Sequence, residues 1–321
     1  MTKKISIAAI LLSICMSVYS QTTQVNAQWK VNEKKVYHAS YNKFSVKEND
    51  STLIEGQETD LEFTVLKKEA NGYTLSCVYS NIQFPKNLSN DTYRKLAEIF
   101  EGMNVQYETD KDGKFVKVLN KKSLKKDLMA KMQKVMQTDS MIMLANMLSG
   151  NKITEAMEAE FDNGSFEISE IEEIRFMHNY LGYPYKNNDE ISLKKKIGSP
   201  LTEIPIDCNA KITANEKGGV VFISEKDNID KEVLINDMYD FLFPMLENMM
   251  KTFKKNLTPN EKQEIKKQAM EKAKEEFLDV SEIITNSEIE SKTGWLNSAK
   301  RTLHFNLKDG QATSTIEIKR K

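Results

Sequence analysis

The residues with the most chemistry open to them in this 321-residue chain are its three histidines and three cysteines. No two of His38, His178 and His304 stand at a metal-ligand spacing, so no metal site is expected. His178 has Glu173 and Tyr180 near it in sequence, a set that acid–base chemistry could use; an ordinary surface or half-buried histidine is the plainer reading. Cys77 and Cys208 fall in strand-like stretches, with no basic neighbour in sequence to favour a thiolate. A disulfide between them would close a loop of about 130 residues and add roughly 4–5 kcal/mol in chain-entropy terms. The other reading of the pair is two buried thiols acting as small hydrophobes. There is no Gly-x-Ser-x-Gly elbow and no glycine-rich phosphate loop. Glu170, Glu172 and Glu173 read as a solvated face. No catalytic set and no cofactor is expected, and the chain reads as a protein other than an enzyme. A hydrolase would need His178 to meet carboxylates that are distant in sequence.

Methionine is the unusual residue, with sixteen copies. Met129, Met132, Met136, Met143 and Met147 recur at steps of three, four and seven, which places them on one helical face. Leu124, Leu128, Val135, Leu144 and Leu148 widen it. Ser123 and Gly150 read as the start and stop of that helix. A second stretch carries Leu234, Met238, Phe241, Leu242, Met245, Met249 and Phe253, with Pro244 inside it. Methionine is flexible and polarisable and adapts to irregular apolar shapes. Met132, Met136, Met143, Met238, Phe241, Met245 and Met249 are therefore the candidate lining of an apolar site for a lipid-like ligand. The plainer reading makes them filling between helix and sheet.

The elements that must position these residues are mostly strands. Lys35 to Val46, Thr59 to Lys67 and Tyr73 to Phe84 alternate apolar and polar residues. Asn71-Gly72, Asp112-Gly113 and Asp309-Gly310 each mark a tight hairpin. Asn90 to Glu101 reads as a short helix. Glu170 to Pro184 has helical spacing but ends among tyrosines, glycine and proline. Lys186 to Pro200, with three successive lysines, reads as a long exposed loop. Leu201 to Thr213 and Val220 to Ser224 read as strands. Thr258-Pro259-Asn260-Glu261 is a capping box that opens a charged surface helix. Val280 to Glu288, Arg301 to Leu307 and Thr313 to Lys319 close the chain as a meander. Tight turns throughout imply antiparallel pairing, so the expected class is α+β: a large curved antiparallel sheet packed against long Met-rich helices.

Residues 1–20, with Lys3 and Lys4 before a short apolar run and small residues after it, read as a secretory signal peptide. The expected location is periplasmic or secreted. Residues 21–321 then form a single α+β domain with helical insertions near 121–162 and 230–278. No further apolar run is long enough to form a transmembrane helix. The formal net charge of −1, with signs interspersed, argues against nucleic acid as a partner.

Long strands, apolar helices and the closing meander, with the ending SEIESKTGWLNSAKRTLHFNLKDG, resemble the LolA-like superfamily of periplasmic lipoprotein carriers. The likeness is greater still to exported bacterial families of unknown function that share that half-barrel. The resemblance implies a curved sheet wrapped around helices with an apolar cavity between them. This chain is much longer than those carriers, and no functional residue carries over. The expected function is non-enzymatic binding or carriage of a hydrophobic or lipid-like ligand. The alternative is a structural or protein-interaction component of the cell envelope without a small-molecule ligand.

Overall fold

The computed structural model describes residues 22–47, 50–85, 91–138, 171–186, 190–198, 205–233, 235–236, 239, 243, 258–308 and 310–321. The first half of the chain supplies β1 (Thr22–Gln24), β2 (Lys34–Lys47), β3 (Asp50–Glu69), β4 (Gly72–Gln83), helix α1 (Asp91–Phe100), β5 (Asn104–Asp110), β6 (Phe115–Val118) and helix α2 (Lys121–Thr138). The second half supplies the short helix α3 (Glu172–His178), β7 (Pro184–Lys186), β8 (Glu190–Gly198), β9 (Pro205–Lys217), β10 (Val220–Ile229), helix α4 (Pro259–Glu276), β11 (Phe277–Glu290), β12 (Leu296–Leu307) and β13 (Gly310–Arg320).

Eleven of the strands form one sheet, in the order β6-β5-β4-β3-β2-β13-β12-β11-β10-β9-β8. Every neighbouring pair is antiparallel. The sheet is two meanders, joined where the first long strand meets the last: Ala39 faces Ile318 and Tyr41 faces Ile316. The expected α+β class with a large antiparallel sheet is thus present. Two hairpins show why the turns are tight. Gly218 and Gly219, at φ +65° and +81°, link β9 to β10 in the left-handed geometry that a two-residue turn requires. At the β5–β6 turn, one carboxylate oxygen of Asp110 accepts hydrogen bonds from the backbone N–H of Asp112 and of Lys114, each 2.9 Å long. Gly72 plays a different part from the turn residue the sequence suggested. It is the first residue of β4, and a Cβ there would lie 1.9 Å from the Thr109 carbonyl oxygen.

One face of the sheet is buried, and two segments outside the sheet fill it. The first runs from Val25 to Trp29, with Val25, Ala27 and Trp29 buried. The second is residues 171–185, where Ile171, Ile174, Phe176, Met177, Tyr180, Leu181 and Tyr185 are all buried. This second segment, ambiguous in sequence, is the plug of the fold. Buried irregular backbone must find hydrogen-bond partners, and here it does. Ala27 donates to the Asp112 carbonyl, Gln28 to that of Thr293 and Gly182 to that of Val25. The short pair β1–β7 ties the two segments together at one end.

Several expectations are revised. Residues 190–198 of the expected loop form β8, the edge strand beyond β9. The strand placed at Val220–Ser224 continues to Ile229. The first Met-rich helix starts at Lys121, before Ser123, whose hydroxyl donates to the Asn120 carbonyl. Its described turns lie on α1 as well as the sheet: Leu128, Met132 and Val135 form a satellite core with Ile99, and only Leu124 joins the main core.

The capping box is present as expected. The Glu261 carboxylate accepts from the Thr258 backbone N–H at 2.8 Å, and the Thr258 hydroxyl accepts from the Glu261 N–H at 3.3 Å. Thr258→Ala is expected to weaken α4 by about 1 kcal/mol. Because α4 is largely exposed, the loss should appear as faster amide hydrogen exchange in residues 259–264 with an unchanged midpoint for global unfolding. Unchanged exchange there would refute the capping role.

Candidate functional site

Strand β10 carries the site. Its sequence VVFISEKDNI alternates, so Val221, Ile223, Glu225, Asp227 and Ile229 all point to the buried face. Two acids therefore stand where the pattern would place apolar residues, Glu225 at 4% exposure and Asp227 at 0%. An unpaired buried carboxylate is too costly to persist, and the neighbouring strands supply cations. Lys195 of β8 makes a very short contact with Glu225 and lies 2.9 Å from the Asp227 carboxylate. Arg301 of β12, itself buried, lies 4.0 Å from the other Asp227 oxygen. Register explains the meeting: Glu225 faces Thr285 of β11, and Thr285 faces Arg301. Glu225, Thr285 and Arg301 thus form a polar row across three strands of an otherwise apolar face.

Three more groups border this row. The Cys208 thiol of β9 lies 3.9 Å from Asp227, and burial pushes its pKa up to about 11, far from a reactive thiolate. Burial also raises Asp227 to about 6, with the Glu225 charge adding to the effect and Lys195 and Arg301 opposing it. Tyr180 of the plug is 1% exposed, and its hydroxyl has no hydrogen-bond partner. That hydroxyl lies in the field of Glu225, Asp227 and Arg301. One Asp227 oxygen, Oδ2, also lacks a hydrogen bond.

The row divides the buried face. On one side is the core packed around the plug. On the other, Cys208, Ala210, Ile229, Ile283 and Leu303 are buried but lie outside that core. At the β8 edge the interior reaches solvent: Lys195 is part-exposed, and Leu193, on the same face, is 37% exposed.

His178 plays another part. It is buried, its Nδ1–H donates to the Gly113 carbonyl at 2.7 Å, and its Nε2 accepts from the Tyr107 hydroxyl at 2.9 Å. Burial lowers its pKa to about 4. It is a neutral structural histidine that pins the plug to the β5–β6 hairpin, and both ring nitrogens are used. Glu173, which the sequence set beside it, instead accepts from the Tyr79 hydroxyl at 3.2 Å. Cys77 and Cys208 are both free and buried, so the open disulfide is not formed. They stand on β4 and β9, seven strands apart in the sheet. No cluster of three or more metal-ligating side chains occurs among the described residues.

Of the candidate apolar lining, Met132 is buried in the satellite core with α1. The Met136 side chain, and Met143, Met238, Phe241, Met245 and Met249, lie outside the described residues. Sequence reasoning missed the polar row because it ended the β10 strand at Ser224. The signal was present: continuing the alternation puts Glu225 and Asp227 on the apolar face, and the same parity puts Arg301 between Ala299 and Leu303.

No family model matches the sequence, and no curated protein matches it. Among solved structures the chain is similar to lipovitellin, in a structure concerned with lipid–protein interactions, at 9% identity and a TM-score of 0.44. That likeness covers 92% of this chain and 25% of the lipovitellin chain, so this chain spans about a quarter of its length. It is also similar to the Rv2717c protein of M. tuberculosis, at 6% identity and a TM-score of 0.22, covering 89% of this chain and 91% of that one. No helix among the described residues is long and apolar enough to cross a membrane.

Proposed function

We propose that this chain is an exported, non-enzymatic carrier of a hydrophobic or lipid-like ligand, built on a LolA-like curved sheet. The observation that carries the reading is the apolar ground beyond the polar row. Ala210, Ile229, Ile283 and Leu303 extend the buried face past the residues that the plug covers, and Leu193 opens it at the β8 edge. A concave apolar surface with a few placed polar groups is the usual form of a small-molecule site. The ordered ion pairs of the row suit recognition better than catalysis, since Lys195 is held by two carboxylates and Cys208 is kept protonated.

The test is native mass spectrometry of the protein isolated from its own cell envelope, followed by organic extraction. A co-purifying lipid, and uptake of a pyrene-labelled hydrocarbon by the stripped protein, are expected. Absence of both would favour the envelope structural role, for which a filled interior is the requirement.

A further inference from the structure

We infer that the polar row is a head-group site that selects a neutral hydroxyl-bearing lipid over a fatty-acid anion. The inference rests on the carrier reading and deepens it.

The first step is charge. The groups facing Asp227 are Lys195 of β8, Cys208 of β9, Glu225 of β10, Arg301 of β12 and Tyr180 of the plug. Among the described residues two cations meet two carboxylates, so their charges balance. A ligand carboxylate or phosphate would bring an uncompensated charge into a site where Asp227 is fully buried, and such a charge is costly.

The second step is unused hydrogen-bonding capacity. Buried polar atoms are nearly always paired, yet the Tyr180 hydroxyl and Asp227 Oδ2 are not. Tyr180 sits just past the end of α3, and its carbonyl accepts from the Tyr185 hydroxyl at 3.1 Å. That bond fixes the backbone that presents Tyr180. One orphan is an anionic acceptor and the other a phenol that can donate. An alcohol has one donor and two acceptor lone pairs. It would donate to Asp227 Oδ2 and accept from Tyr180, which satisfies both with no change in charge. The tail would lie along Ala210, Ile283 and Leu303 and leave past Leu193.

The experiment measures displacement of the pyrene-labelled hydrocarbon from the full mature chain at pH 7.5. Competitors are 1-oleoylglycerol, oleyl alcohol, oleate and octadecene, below their aggregation concentrations. The two alcohols are expected to bind about tenfold more tightly than oleate or octadecene, as one hydrogen bond to a charged group implies. In Tyr180→Phe, the alcohols should weaken by about threefold, the share of the neutral hydrogen bond to the phenol, while octadecene itself is unchanged. The substitution removes only an unpaired hydroxyl, so folding is expected to survive it. Should all four competitors bind alike, the orphans hold only water and the inference fails, although binding of the labelled hydrocarbon would still support the carrier reading. Tighter binding of oleate, or alcohol binding undiminished in Tyr180→Phe, would also overturn it. If the labelled hydrocarbon does not bind at all, both readings fall.

Discussion

Trp29→Ala is expected to lower stability by about 3–5 kcal/mol, the cost of removing a large aromatic from a filled core. For a chain whose total stability is on the order of 5–15 kcal/mol, that is a large fraction. The residue belongs to no strand or helix, yet it is completely buried. Its ring centroid lies 4.8 Å from that of Trp295, 5.1 Å from Tyr73 and 5.8 Å from His178. It therefore touches the β11–β12 corner, β4 and the end of α3 together. The segment is also tied at Ala27, whose carbonyl accepts from the Tyr73 hydroxyl at 2.9 Å. Losing the indole opens a void where these elements meet, and none of them can move to fill it alone. Urea unfolding followed by far-UV circular dichroism measures the loss. Val31→Ala, at an exposed site just past that segment, should stay within about 0.5 kcal/mol of wild type. If the two variants behave alike, the segment is not the structural plug described.

How much of this could be read in the sequence depended on how local the cause was. The strands around Leu61–Val65 and Tyr73–Tyr79 were legible because each alternates on its own, and the β5–β6 hairpin because Asp110 and Gly113 act within five residues. The capping box of α4 was legible for the same reason. Residues 171–185 were legible only in part: their helical spacing matches α3, but the tyrosines, glycine and proline after it carry no period, and nothing local shows that the segment is buried as a plug. Edge strand β8 was hidden by its lysines, yet charge is how an edge strand resists pairing with another chain. Lys195 points inward only because β10 offers two carboxylates, a fact of register that no single strand contains. The polar row was missed through the same non-local logic. Glu225 and Asp227 look like the end of a strand until Arg301, more than seventy residues away, is placed across from them. The structure holds Cys77 and Cys208 apart, which their similar sequence surroundings did not foretell.

The acid response should separate the two buried titrating groups of the interior. His178 is held at about 4, below the ordinary histidine value of about 6.5. As pH falls from 7, the unfolded chain takes up that proton before the folded one, so stability is lost. Asp227 is raised to about 6, above its ordinary value of about 4. Over the same interval the folded chain takes up its proton first, so stability is gained. By linkage each effect amounts to about 2 kcal/mol between pH 7 and pH 4.5, with opposite signs. Asp60 does not enter this window. Burial would raise its pKa, but Lys321, Asn81 and His38 together bring it down to about 2, so its contribution is lost only at lower pH. Wild type should therefore show a shallow profile through these two groups, and Asp227→Asn should not. The amide keeps the shape of the side chain and leaves Lys195 its contact with Glu225, but it cannot take up the compensating proton. Relative to wild type, the variant is expected to lose about 2 kcal/mol between pH 7 and pH 4.5, read as the difference in urea unfolding free energy at each pH. The comparison cancels every group common to both proteins. Parallel profiles would mean that Asp227 titrates as an ordinary carboxylate and that the row is open to water. A steeper fall in Asp227→Asn would place the proton on the oxygen pair that β10 holds against Lys195 and Arg301.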